Sequence, residues 1–182
     1  MAKSEALSRE LFKISDADLR KVVDGYLNEC VNEKFFTAPA SSTGKHHPAI
    51  SLGEGGLVRH TQLAVQVAED LLQLEMYQTL QPFKDRIIAA LIIHDTKKSG
   101  EEWEQFTVFE HPKLAAEAFK AYAKEKGLDQ SVYTDIYEMV ISHMGQWNSD
   151  KRSMEKLPKP TNPHQKFVHQ CDYIASRKWK MD

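Results

Sequence analysis

The sequence predicts an all-helical domain, and three observations carry that expectation. Apolar residues recur at intervals of three and four along most of the 182 residues, the spacing of an amphipathic helix. No segment shows convincing strand alternation. The periodic stretches are separated by clusters of Gly, Ser and Pro, which punctuate helices.

A first helix follows "SDAD", with Ser15 as N-cap and Asp18 three places on. Its apolar face is Leu19, Val22, Val23, Tyr26 and Leu27, towards Val31. "TAPASSTGKHHPAISLGEGG" is then a long loop, of the kind that is functional or disordered in small domains. Further helices are expected at 57–76, 83–97, 111–126, 129–144 and 163–179. Pro112 suits the first turn of one of them and Gly127 its end. "KLPKPTNP" connects to the last helix. The formal charge of −2 gives no global basic field for nucleic acid. Two cysteines, Cys30 and Cys171, make neither a disulfide framework nor a thiolate metal site. A reducing, cytoplasmic setting is expected, and no apolar run approaches the ~20 residues of a membrane span.

Several polar residues lie on faces that ought to be apolar. His60 shares a face with Ala64, Val67 and Leu71, and His111 one with Leu114, Ala115, Ala118 and Tyr122. His143 closes the face of Val132, Ile136, Met139 and Val140; Asp172 lies beside Val168, Ala175 and Trp179. His94 and Asp95 end the apolar run Ile87 to Ile93. A single histidine on such a face is more often a hydrogen-bonded core residue. The set is different, because buried charges must be paired or coordinate metal. Four imidazoles and two carboxylates from five helices would satisfy one another through cations, and bundle cores are where such sites are built.

Imidazole and carboxylate without thiolate suit Mn, Fe, Co, Ni or Zn. Six ligands are too many for one catalytic ion with an open position, but suffice for two ions bridged by a carboxylate. Asp95, adjacent to His94, is the bridging candidate.

The order H … HD … H … H … D resembles the HD-domain metal-dependent phosphohydrolase superfamily. It is carried by "GGLVRHT", "IIHDTKK", "EHPKLAAE", "SHMG" and "HQCDYIASR". The segment from Phe35 through the first of these words is most similar to a subgroup that includes bacterial 3′–5′ exoribonuclease and relaxase-associated HD domains. The resemblance runs from Phe35 to Arg177. It implies residues 35–182 as the HD domain, with 1–34 as a helical extension. It also implies hydrolysis of a phosphate ester. By analogy one ion takes His60, His94, Asp95 and Asp172, and the other Asp95, His111 and His143. Two words depart from the family: it commonly has glycine where Lys97 stands, and often a second histidine where Met144 stands.

On this reading Asp95 and Lys98 are the catalytic pair, Lys98 holding the phosphate as a point charge. Lys97 is expected only to favour a helix C-terminus. Lys45, His46, His47 and Arg59 form a basic cluster ahead of the first ligand, compatible equally with phosphate capture and with a solvated loop. Trp103, Phe106, Phe109 or Trp147 could stack a base, although aromatics at such positions more often pack in a core or a lid. Lys156, Lys159, Arg177, Lys178 and Lys180 are expected to form a basic C-terminal surface. The expected partner is a phosphorylated small molecule, a nucleotide or a short single-stranded nucleic acid. Two other readings stand beside hydrolysis. One is a di-iron oxygenase on the same fold. The other is a non-catalytic nucleotide- or partner-binding module that keeps metal for stability.

Overall fold

The computed structural model describes residues 2–41, 47–151 and 153–178. Lys45, His46, Trp179 and Lys180, singled out above, lie outside them. The described residues contain helices and no strand, with one isolated bridge between Ser149 and Lys156.

A short 3₁₀ turn, Lys3–Leu7, leads into α1 (Ser8–Phe12), and α2 follows at Ala17–Glu29. Asp16, not Ser15, caps α2: its carboxylate accepts from the amides of Asp18 and Leu19, each at 3.0 Å. The adjacent aspartate brings a charge as well as an acceptor to the positive end of the helix. The next long helix, α3 (Gly56–Leu72), starts where the loop turns tightly. A Cβ on Gly56 would lie 2.2 Å from the carbonyl oxygen of Ser51, so only glycine fits there. A 3₁₀ segment, Glu75–Phe83, carries the chain into α4 (Lys84–Ile93). The rest is α5 (His111–Glu125), α6 (Gln130–Ile141) and α7 (Pro163–Ala175). Asn162 and Gln165 form a reciprocal capping box at the start of α7.

The centre of the molecule is α4. Ile87 to Ile93 are all fully buried, and the helix touches α2, α3, α5, α6 and α7. A helix that is apolar all round belongs in the interior, so whatever follows it is delivered there. α3 packs on α7, and α5 on α6. Leu7, Leu11, Ile14 and the apolar face of α2 join the same buried cluster as the later helices. Tyr26 shows how this is done. Its ring meets Phe119 edge-on at 5.4 Å, and its hydroxyl bonds the Thr96 hydroxyl at 3.2 Å, one residue past Asp95. The hydroxyl hydrogen of Thr96 goes to the Ile93 carbonyl, so Tyr26 is the donor.

α3 ends at Leu72 rather than 76 and α7 at Ala175 rather than 179, and two further helices also end earlier than their apolar spacing predicts. α4 stops at Ile93 rather than 97, and α6 at Ile141 rather than 144. In both, a histidine ring just past the helix competes for a backbone carbonyl three residues before it.

Candidate metal centre

Three of the four expected histidines are held in the same way. The Nδ1 of His94 bonds the carbonyl of Leu91 at 2.6 Å, that of His111 the carbonyl of Val108 at 2.7 Å, and that of His143 the carbonyl of Val140 at 2.8 Å. A carbonyl only accepts, so each Nδ1 carries hydrogen and each Nε2 faces inward. All three sit at helix ends, where the chain can bring a ring back on its own backbone. His60 instead lies within α3, and its Nδ1 is buried without a partner.

The four Nε2 atoms meet around Asp95, which is 2 % exposed. Its Oδ2 lies 3.5 Å from His94 Nε2 and 3.8 Å from His60 Nε2. Its Oδ1 lies 3.2 Å from His111 Nε2 and 3.9 Å from His143 Nε2. One carboxylate thus faces two pairs of imidazoles, one pair on each oxygen. The ligand atoms of His60, His94 and Asp95, and separately those of Asp95, His111 and His143, lie within 4.8 Å of one another. Asp172 joins the first group, its Oδ1 3.0 Å from His60 Nε2 and 3.6 Å from His94 Nε2. Five of these side chains form two groups whose donor atoms lie close enough together to hold an ion, and Asp172 stands beside the first. This donor set fits divalent cations, because only protons or cations relieve that convergence.

The electrostatics agree. Burial alone would lower the His94 pKa, but the Asp95 and Asp172 carboxylates outweigh it and push it up to about 10. Burial, then His94 and His111, depresses His143 to about 3. Burial opposes ionisation of both aspartates and is overcome. Lys98 and His94 hold Asp95 well below the usual carboxylate range, and His60 and His94 do the same for Asp172. The buried cluster could therefore hold positive charge as protons or as metal.

Lys98 Nζ sits 2.5 Å from Asp95 Oδ2, and both residues line a cleft of roughly 480 Å³ that opens from the cluster. His47 lines it too. Its ring stands 5.2 Å from that of His60, and its Nδ1 has no partner. Burial, then Lys98 and His60, lowers its pKa to about 4. Arg59 is placed differently from expectation. Its guanidinium bonds the carbonyls of Ile50 and Leu52, the latter at 2.9 Å, and so braces the loop before α3. Lys97 also departs from expectation: it is buried, with Nζ 2.6 Å from Glu101 and 3.3 Å from the Cys30 carbonyl. Of the aromatic candidates, Trp147 lines the cleft. Phe106 is exposed and Trp103 packs against the core. Arg177, expected on a basic surface, lines the cleft instead.

Sequence reasoning missed His169. Its Nδ1 donates to the backbone carbonyl of His143 at 2.7 Å, tying α7 to a site residue. Gly145 makes this possible. It has φ +60°, and a Cβ there would lie 2.2 Å from the His169 ring. Gly145→Ala is expected to lower stability by roughly 2–4 kcal/mol in urea unfolding, from backbone strain plus overpacking. A change below about 0.5 kcal/mol, the usual scatter of neutral substitutions, would contradict this packing. The spacing of His169, Tyr173 and Arg177, four residues apart beside Asp172, was the available signal.

No helix among the described residues is long and apolar enough to cross a membrane. No family model matches the chain, and no curated protein or solved structure matches it.

Proposed function

We propose that the chain is a divalent-metal-dependent phosphohydrolase of the HD-domain type. Its substrate is a phosphate ester of a nucleotide or short oligonucleotide. The observation that carries this reading is the split of Asp95 between two imidazole pairs at the floor of an open cleft. His60, His94, Asp95 and Asp172 would hold one ion; Asp95, His111 and His143 would hold the other. Such ions supply Lewis acidity at phosphoryl oxygens and lower the pKa of water enough to make hydroxide available near neutral pH.

The remaining work falls to this chain's own groups. Lys98, at the cleft wall with its ammonium against Asp95, is the cation that orients a non-bridging phosphate oxygen. His47, neutral at pH 7, offers its unpartnered Nδ1 to the substrate. The buried floor, with His94 and His143 at 0 % and 2 % exposure, keeps bulk water from the ligands. Hydrolysis adds water across the ester: hydroxyl goes to phosphorus, the phosphorus–oxygen ester bond breaks, and the leaving oxygen takes the proton.

The test is a hydrolysis screen of mono-, di- and oligonucleotides by protein loaded with Mn²⁺, Ni²⁺, Co²⁺, Fe²⁺ or Zn²⁺. It is run without oxygen, which excludes oxygenation. Turnover with at least one ion is expected; none with any substrate, by metal-loaded protein, would refute the reading. In the same assay Lys98→Ala is expected to lower kcat/KM by about 10²-fold, the scale of losing one charged contact to a phosphoryl group. Its metal content stays unchanged. Loss of metal in that variant would instead make Lys98 a support for the ligands.

A further inference from the structure

Part of the wall of the cleft is aromatic, and hydrolysis at the metal centre makes no use of it. Trp147 ends a 3₁₀ turn, Gly145–Trp147, that begins two residues after His143. Its ring lies against Tyr173 with centroids 5.6 Å apart and planes 18° from parallel. Tyr173 immediately follows Asp172. The guanidinium of Arg177, one helical turn on, lies over the Tyr173 ring at 4.8 Å. The order is therefore Trp147, Tyr173, Arg177, and all three line the same cleft as Asp95 and Lys98.

Two features of this stack are expensive unless a ligand uses them. Trp147 is 47 % exposed, although a large aromatic ring gains most from burial. The Nε of Arg177 is shielded from water and has no hydrogen-bond partner, although such donors are almost always satisfied. The stack is also held in place before any ligand arrives. His169 pins the turn through the His143 carbonyl, and its Nε2 meets the Gln146 side chain at 3.2 Å. A rigid, partly exposed indole with a guanidinium donor nearby is the chemistry that receives a nucleobase: a flat ring with polar edges.

We infer that Trp147, backed by Tyr173 and Arg177, is a nucleobase subsite, so that the cleft takes one nucleoside joined to a phosphate. The inference rests on the proposed function for the placement of the phosphate at Lys98 and the metal centre. A volume of roughly 480 Å³ is of the size that takes one nucleotide. The same chemistry is presented by a free mononucleotide and by the end nucleotide of a single strand.

Calorimetric titration of the Mn²⁺-loaded protein separates these outcomes, because it reads binding without turnover. The probes are non-hydrolysable phosphonate analogues of adenosine 5′-monophosphate, of ribose 5-phosphate and of a single-stranded oligoadenylate, so that the loaded protein binds them without cleaving them. The adenosine monophosphate analogue is expected to bind at least about tenfold more tightly than the ribose 5-phosphate analogue, the scale of one base stacked on an aromatic ring. Trp147→Ala should remove that advantage and Trp147→Phe should restore most of it, with the ribose 5-phosphate analogue affected by neither. Equal affinity for oligoadenylate assigns the free nucleotide, and a further gain assigns the strand end; both support the subsite. Equal binding of the nucleotide and the sugar phosphate, or a nucleotide affinity unchanged in Trp147→Ala, overturns it. If base-dependent binding survives while no substrate is hydrolysed, the subsite stands and the hydrolase reading falls. If nucleotides are hydrolysed with the same kcat/KM with and without the Trp147 indole, the hydrolase reading stands and the subsite falls.

Discussion

Asp95→Asn is expected to lower divalent-ion affinity by about 10²-fold or more and phosphate-ester turnover by about 10³-fold, because one carboxylate serves both groups of imidazoles. Oδ2 faces His60 and His94, while Oδ1 faces His111 and His143. An amide keeps the shape, but it is neutral and presents an N–H₂ to one pair, so at least one ion loses its bridging oxygen. The fold should survive. The carboxylate's nearest partners are the Lys98 ammonium, which reaches the cleft, and the His111 and His94 imidazoles, which pair with it only through a proton they can give up. Circular dichroism and metal analysis on the same sample check both halves of this expectation. Unchanged metal content with full turnover would remove Asp95 from the centre of the site. Loss of the folded state without any turnover to lose in the parent would favour a metal-stabilised binding module.

The second large effect is a pH dependence of metal affinity. His94 is held protonated up to about pH 10 by Asp95 and Asp172 against the cost of burial, whereas His143 is neutral above about pH 3. A cation at His94 must displace that proton, so apparent affinity for the first ion should rise about tenfold per pH unit, or about 10²-fold between pH 6 and pH 8. His143 asks for no such displacement in this range. Titration in buffers of different ionisation enthalpy counts the protons released, and about one from His94 is expected. An affinity flat from pH 6 to 8, with no proton released, would contradict the charge state derived from the geometry.

The metal-free protein has a matching signature. The folded pKa of His94 lies above its unfolded value near 6.5. Its stabilising contribution is therefore complete below about pH 6.5 and is lost as pH rises towards about 10. Asp95 and Asp172 work in the other direction. Their depressed pKa values add stability above the unfolded carboxylate value, near 4, which is lost as pH falls below it. Bound metal should flatten the alkaline limb, since it replaces the proton on His94.

Much of this was legible in the chain. Helical periodicity located α2 to α7, since a packed helix must repeat its apolar face. The candidate ligands were legible for the opposite reason: histidines and acids broke that repeat at His60, His94, Asp95, His111, His143 and Asp172. What periodicity could not supply was the choice among local hydrogen bonds. Asp16 and Ser15 are both good caps, and only the path of the chain decides between them. α4 looked longer than it is because "HDTK" keeps helical character while its side chains take backbone carbonyls. For Arg59 the sequence left phosphate capture and a solvated loop both open, because charge shows in sequence and a partner carbonyl does not. The Trp147–Tyr173–Arg177 stack was invisible as a unit, because it joins residues from two segments whose proximity depends on Gly145 admitting His169.

The most direct measurement is equilibrium dialysis of the purified, metal-stripped protein against Mn²⁺, Fe²⁺, Co²⁺, Ni²⁺ and Zn²⁺, followed by elemental analysis. Two tightly held ions per chain are predicted for at least one of these metals, falling to at most one in Asp95→Asn. A correctly folded chain that retains none of the five would show that these imidazoles and carboxylates hold only protons, and the metal centre with everything built on it would fall.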